Sequence, residues 1–399
     1  MGSRRSFGCL ARYNPRTEVL TMGLPKAPTT SQAHFPIHAM KIPTCLDLPE
    51  GQEPRRASSS VGVPQRTMSP VDSPATIICM KGRIVDFCVD SNGSRLIQHA
   101  LETATPEEII IVYNEVIPHA RALSIDVFAN HAVQKLLEYG PKHYKREFIG
   151  HLIGHVLPLS RHMYGSHVMQ KAFQVGDLDL QIQMAKEFAG EVPKCALEPY
   201  ANHVIQKCVQ CVPSQHIKFI FRSLCRKVTM SCTNTYGCHT VLAFCNDPEI
   251  IHAVVSEIIE AVVKLAKDQY GNYVVQHVVE HGGPVVRSII VNKFRGLVVN
   301  MSYHKSASNV IEKCITFGSF QDRQLITTEI LTAGNAQLLD MMCHLYANFV
   351  IKELATVAEE VPLLVLADVA RCNMARLTSV QYGRHVIAHI EGVLAARGK

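Results

Sequence analysis

Gly271-Asn272-Tyr273-Val274-Val275-Gln276-His277-Val278-Val279 is the stretch that decides the fold. Val274, Val275, Val278 and Val279 recur at helical spacing and form one apolar stripe. Asn272 and Gln276 stand one turn apart, so they are expected to project together from the opposite, solvent-facing side. Tyr273 lies about 100° round from Asn272, toward a neighbouring unit. β-branched valine is a modest helix former, so this helix depends on its neighbours rather than on propensity.

The same frame returns down the chain. Its anchors are Ser94, Asn130, Ser166, Asn202, Cys238, Asn272, Ser308, Asn348 and Arg384, at intervals of 36, 36, 36, 36, 34, 36, 40 and 36 residues. A period near 36 means one supersecondary unit stacked many times. One unit cannot bury its own stripe; stacked units bury it against each other, and the ends need caps. A second helical segment lies between anchors, as in Gln181 to Gly190 or Glu249 to Val263. A small residue precedes most anchors: Gly165, Gly237, Gly271 and Gly383, or Ala129, Ala201 and Ala347. That predicts a tight turn into each helix, with little room for a side chain. The expectation is an all-α stack over residues 76–399 with about three helices per repeat, short turns included.

Composition bounds what such a stack does. Of 399 residues, 47% are hydrophobic and 19% charged, which suits a packed body. Formal net charge is +6, unevenly placed. Residues 1–75 hold nine Lys/Arg against five Asp/Glu, and residues 76–399 hold 31 against 29. Nucleic-acid binding by the body therefore needs basic groups gathered on one face. Fourteen cysteines in helical, apolar segments, with no secretory signal before them, read as reduced core residues of an intracellular protein. Cys208 and Cys211 form one C-x-x-C without a second pair, so core packing is expected rather than zinc. No apolar run reaches about 18 residues, so no membrane span is expected. The twenty histidines suggest catalysis or metal, but several sit at frame positions, including His385 beside Arg384. His151, His155, His162 and His304 read as satisfied or exposed side chains. No phosphate-binding glycine loop or nucleophile signature occurs, so neither enzyme activity nor a metal or cofactor is expected.

Residues 1–75 carry ten of the twenty prolines and Ser/Arg-rich patches such as Arg55 to Ser60, which predicts a disordered tail. Gly2 with Ser6 fits a myristoylation pattern, with Arg4, Arg5 and Cys9 nearby, though chance is the better explanation. Arg55-Arg56-Ala57-Ser58, Ser69-Pro70 and Ser73-Pro74 resemble kinase sites, where phosphate would cancel local positive charge.

Ser94 to Gln98, Ser124 to Phe128, and Asn272 to Gln276 resemble the Pumilio-type (PUF) RNA-binding repeat, and the likeness runs over roughly residues 78–399. The resemblance implies a right-handed superhelix of eight repeats with flanking half-repeats, and single-stranded RNA along its inner face. The i and i+4 side chains would meet a base edge, and the i+1 residue would stack on its face. In the family, Asn with Gln reads uracil, Ser or Cys with Gln reads adenine, and Ser with Glu reads guanine. A carboxylate accepting from the two guanine donors gives the last pairing a direct rationale.

Carried over position by position, Ser94/Gln98 and Ser166/Gln170 read adenine. Asn130/Gln134, Asn202/Gln206 and Asn272/Gln276 read uracil, and Ser308/Glu312 reads guanine. Cys238 is paired with Leu242, which cannot hydrogen-bond, so adenine preference there is expected to be weak. Asn348 is paired with Lys352, a donor-only group that suits a uracil carbonyl or a phosphate. Arg384 with Ala388 fits no pairing and is assigned to the C-terminal cap. The stacking set is Arg95, His131, His167, His203, His239, Tyr273, Asn309 and Phe349. Its run of four histidines departs from the family's usual Tyr or Arg, and protonation near pH 6 is expected to strengthen binding. Since family members bind RNA antiparallel, the expected site is 5′-UGUAUAUA-3′.

The resemblance further implies a cytoplasmic regulator bound at messenger RNA 3′ untranslated regions, monomeric and free of membrane. Deadenylation or translation-repression factors would sit on its convex face. The 40-residue interval before Asn348 places a protruding loop at Gly318 to Asp322. Two alternatives share the repeat period: a structure-tolerant relative serving ribosome biogenesis, and a protein-binding armadillo-like solenoid. Both lack the correlated i, i+4 pairs that most anchors here keep.

Overall fold

A computed structural model describes residues 77–244 and 248–398. The expected tail, with its acylation and phosphorylation motifs, lies outside the described residues. All regular structure among the described residues is helical. Each anchor helix is followed by a second helix and then a short third helix that leads into the next repeat, as in Gly165–Val175, Leu178–Lys186 and Val192–Cys195. The eight anchor helices are Ser91–Thr103, Ala129–Tyr139, Gly165–Val175, Ala201–Cys211, Gly237–Phe244, Gly271–His281, Ala307–Phe317 and Ala347–Val357. Each packs on the next, and Gln381–Ala396 closes the row. A half-repeat of Ile77–Met80 and Ile84–Val89 precedes them.

The valine stripe is buried as its spacing predicts: Val274, Val275 and Val279 are fully enclosed. Full burial of one such side chain is worth about 1.5–3 kcal/mol, enough across a repeat to overcome weak helix propensity. The buried side chains fall into two clusters, one running from Ile77 to Leu224 and the other from Val228 to Leu394. The second helices start and stop earlier than their sequence patterns suggest. Asp177 accepts from the Leu180 amide at 3.1 Å and starts that helix at Leu178, and Val263 already belongs to the third helix Val262–Lys267.

The small residue before each anchor has a steric cause. A Cβ on Gly165 would lie 2.6 Å from the Leu159 carbonyl oxygen, and one on Gly383 2.4 Å from that of Leu377. A second glycine position recurs at the turn into the third helix, where Gly82, Gly154, Gly190 and Gly296 have φ of +82°, +82°, +81° and +78°. Arg226 occupies this role in the fifth repeat with φ +69°, a conformation that costs an L residue about 1–2 kcal/mol. Carboxylates from the following second helix reach back to these turns. Glu187 accepts from the Gly154 and Val156 amides at 2.6 and 2.9 Å, and Glu329 from Gly296 and Val298, both at 2.7 Å. These bonds satisfy helix-start donors and tie each short helix to the second helix that follows it.

The extra residues before Asn348 do not form a loop at Gly318 to Asp322. Ser319 and Asp322 make a capping box that starts the helix Phe320–Thr332 directly, and Asp322 is buried, also accepting from Ser288 Oγ at 2.9 Å. The extra length lies instead on both sides of Gly334: the second helix Phe320–Thr332 has 13 residues against 12 in Gly283–Phe294, and the third helix Asn335–Cys343 has 9 against 5 in Val298–Ser302. The third helix is held by polar contacts on both sides: Tyr303 Oη lies 3.0 Å from Asp340, which also meets Arg376 at 3.7 Å. Cys208 packs in the core, where burial pushes its thiol well above the usual range, and Cys211 is half-buried.

Candidate nucleic-acid interface

The anchor helices begin in a shared way. Four residues before the anchor, a side chain accepts from the first free amides of the helix. Asp126 takes Phe128 and Ala129 at 2.9 and 2.8 Å, and Asp268 takes Tyr270 and Gly271 at 2.9 and 2.8 Å. Asn234 does the same in the fifth repeat, and His162, His304 and His344 do so through Nδ1. These bonds act as side-chain caps. The fourth repeat differs, because Glu198 is drawn instead to Arg161, 2.8 Å away.

The asparagine anchors are not solvent-facing. Asn130, Asn202, Asn272 and Asn348 are each no more than 3% exposed. Asn272 Nδ2 donates to the carbonyls of Asp268 and Gln269 at 2.8 and 3.0 Å, and Asn130, Asn202 and Asn348 make the equivalent pair of bonds. The amide thus closes the turn that the cap opens, which fixes the direction of Oδ1. Sequence periodicity treated the side away from the valine stripe as solvent, but the preceding turn of chain covers it.

What the anchor presents, the i+4 residue receives. Gln134, Gln206 and Gln276 donate through Nε2 to the anchor Oδ1 at 3.0, 2.8 and 2.9 Å. Each of these glutamines is half-buried with Oε1 unbonded; Gln206 and Gln276 also keep one Nε2 hydrogen free, an acceptor beside a donor, while Gln134 Nε2 lies 3.2 Å from the Asn130 carbonyl as well. Ser94 is also buried: its hydroxyl donates to the Phe128 carbonyl at 2.8 Å and accepts from Gln98 Nε2 at 3.1 Å. Ser166 and Ser308 turn to the carbonyls of Met163 and Lys305 at 3.1 and 3.3 Å, leaving Gln170 and Glu312 unbonded to their anchors. Burial, with Glu353 adding to it and Lys352 opposing, pushes the Glu312 carboxyl up to about 7. In the fifth repeat Cys238 Sγ makes only a long contact to the Thr235 carbonyl at 3.5 Å, and Leu242 packs on the core.

The i+1 side chains stand outermost. Arg95, His131, His167, His203, Asn309 and Phe349 are exposed, and His239 and Tyr273 half-exposed. Burial holds His167, His203 and His239 below the ordinary histidine value. The neighbouring imidazoles reinforce this, His131 acting on His167, and His239 and His167 on His203. These rings are therefore harder to protonate than a free histidine and are neutral near pH 7. Phe349 already has a neighbour: Lys352 Nζ lies 4.2 Å from its ring centroid. Arg384, by contrast with the other anchors, is exposed and donates to the Thr378 carbonyl at 2.8 Å.

Two features escaped the sequence reading. The cap four residues before the anchor was legible as a recurring Asp, Asn or His. The other joins adjacent anchor helices: the residue five after one anchor meets the residue eight after the previous one. Lys135–Glu102, Lys171–Glu138 and Lys313–Glu280 are ion pairs of 2.7, 3.2 and 2.8 Å. Thr316 with Glu353 at 2.7 Å and Thr356 with His389 at 2.8 Å continue the rungs. Lys207 has only Gln174 opposite it, so the rung is missing there. No group of three or more His, Cys, Asp or Glu side chains among the described residues is placed to hold a metal ion.

The Pumilio-family RNA binding repeat matches this chain six times, over residues 83–117, 119–153, 155–188, 192–225, 261–293 and 298–331, about half of its length. The matches enclose six anchors and omit those of Cys238 and Asn348. A Pumilio domain-containing protein of Schizosaccharomyces pombe is 27% identical over 92% of this chain and 53% of its own length. Pumilio homolog 12 of Arabidopsis thaliana is 26% identical over 77% of this chain and 52% of its own. The chain thus spans about half the length of these curated relatives. Among solved structures, PUF-8 in complex with PBE-RNA superposes with a TM-score of 0.75 at 28% identity, covering 80% of this chain and 95% of that one. The Puf3 RNA-binding domain bound to a Cox17 RNA 3′ UTR site gives 0.73 at 29% identity, covering 79% and 96%.

Proposed function

Since the chain belongs to the Pumilio family of RNA-binding repeat proteins, we propose that it binds single-stranded RNA sequence-specifically, taking 5′-UGUAUAUA-3′ with one base per repeat. The observation that carries this reading is the repeated three-position arrangement: a buried anchor tied to two carbonyls, a half-buried amide it orients, and an exposed ring or guanidinium between them. Acceptor beside donor on Gln206 and Gln276 complements the uracil N3–H and an adjacent carbonyl. A base held this way also stacks on its i+1 neighbour, worth about 1–3 kcal/mol. The chain is a regulator of messenger RNA translation and stability, acting at 3′ untranslated regions in the cytoplasm and recruiting repression or deadenylation factors.

Selection of bound sequences from a random RNA pool tests the site. UGU is expected in the enriched set, and a pool enriched for no motif would remove the reading. A sharper test exchanges Ser308→Asn with Glu312→Gln, which should turn the second base from guanine to uracil.

A further inference from the structure

Building on the RNA reading above, we propose that Lys352 serves the seventh repeat rather than its own, donating to O6 of the guanine whose N1–H and N2–H the Glu312 carboxylate accepts. Lys352 occupies the i+4 position of the eighth repeat but does not bond its anchor, as Gln276 does in the sixth. Its ammonium lies instead over the exposed ring of Phe349, at 4.2 Å. The next residue reaches back to the seventh repeat: the Thr316 hydroxyl is 2.7 Å from Glu353 and 2.9 Å from the Glu312 carbonyl. That bond clamps the turn carrying Lys352 against the turn carrying Glu312.

The chemistry requires a donor there. The guanine edge has two N–H donors and one carbonyl acceptor, O6. A carboxylate answers the donors and leaves O6 bare, and a bare buried acceptor is costly. An ammonium beside the carboxylate completes the edge, and lysine meeting guanine O6 or N7 is a common recognition contact. The same cation favours the ionised form of Glu312 against the effects of burial and Glu353. Lys313 of the same helix is engaged with Glu280 at 2.8 Å, whereas the charge of Lys352 already acts on Glu312.

The test measures affinity of the full chain for two RNAs differing only in guanine or adenine at the second position, and for a second pair differing only at the first. Wild type, Lys352→Met and Lys352→Gln are compared, with thermal melts to confirm folding. Both variants should lose about tenfold in affinity for the guanine RNA and stay within about twofold for the adenine RNA. Equal loss on both RNAs, with the salt slope reduced by about one, would show a phosphate contact and overturn the proposal. A loss that follows the first base instead of the second would return Lys352 to the eighth repeat, also overturning it. No loss at all would do the same. A wild-type chain indifferent to every RNA would break the functional reading itself and take this assignment with it.

Discussion

The fifth and sixth repeats sit side by side on one frame and differ at nearly every polar position. In the sixth, Asn272 is buried with two carbonyl bonds and holds Gln276 in place. In the fifth, Cys238 has one 3.5 Å contact, Leu242 offers no hydrogen bond, and the buried hydroxyls of Ser231 and Thr240 have no partner. Arg226 stands left-handed where other repeats use glycine. The core divides here as well, between Leu224 and Val228. The lesson is that nearest-neighbour stacking tolerates a poor unit: apolar contacts to both sides carry it, while the polar apparatus that would read a base is lost.

Exchanging the readers probes this contrast most strongly. Gln276→Leu should erase uracil preference at the sixth repeat, and Leu242→Gln should install adenine preference at the fifth, each by about 1–3 kcal/mol of discrimination in competition binding. If Leu242→Gln gains nothing, the fifth repeat fails through its geometry rather than through its side chain. On the stability side, Asn272→Ala removes both side-chain bonds to the Asp268 and Gln269 carbonyls and the support of Gln276, and should cost about 1–3 kcal/mol in denaturant unfolding, whereas Cys238→Ala should cost less.

His277 sharpens the comparison through pH. Its ring is buried beside His281, and burial foremost lowers its pKa to about 4, against 6.5 when exposed. A histidine so depressed binds its proton more readily in the unfolded chain. Stability is therefore full above pH 6.5 and falls as pH drops toward 4, by up to about 2 kcal/mol at pH 5. Thermal melts of His277→Gln should lose that part of the acid sensitivity. Glu312 runs the other way in binding: with its carboxyl near 7, guanine preference should rise between pH 6 and 8 and become flat in Glu312→Gln. Smaller still, Arg226→Gly should stabilise the chain by about 1 kcal/mol by relieving the left-handed backbone. Gln174→Glu, which gives Lys207 the missing rung, should add no more than about 0.5 kcal/mol.

The stacked-helix fold was legible because Val274 to Val279 and their counterparts repeat at a spacing that only stacking can bury. The interface residues were legible as positions but not as an environment. Asn272 looked exposed because a helical wheel contains no other chain, whereas the Asp268 and Gln269 carbonyls lie over that side. The insertion was legible as four residues of excess, yet interval length does not say where they go. The Ser319–Asp322 capping box closed the expected loop, and helices Phe320–Thr332 and Asn335–Cys343 absorbed the length between them. Lys313 and Glu280 were visible too, but pairing residues 33 apart requires knowing which helices touch.

By itself the sequence determined the period, the apolar stripe and the small residue before each anchor, since these obey local rules of helix geometry and chain sterics. Only tertiary structure decided that the anchors are buried struts, that Lys352 leans over Phe349, and that Glu312 is held near neutrality. Glu312 answers to Glu353 and Lys352 across a repeat boundary, and the anchors are covered by the turn before their own helix; desolvation and hydrogen-bond direction are properties of an assembled surface rather than of a helical wheel.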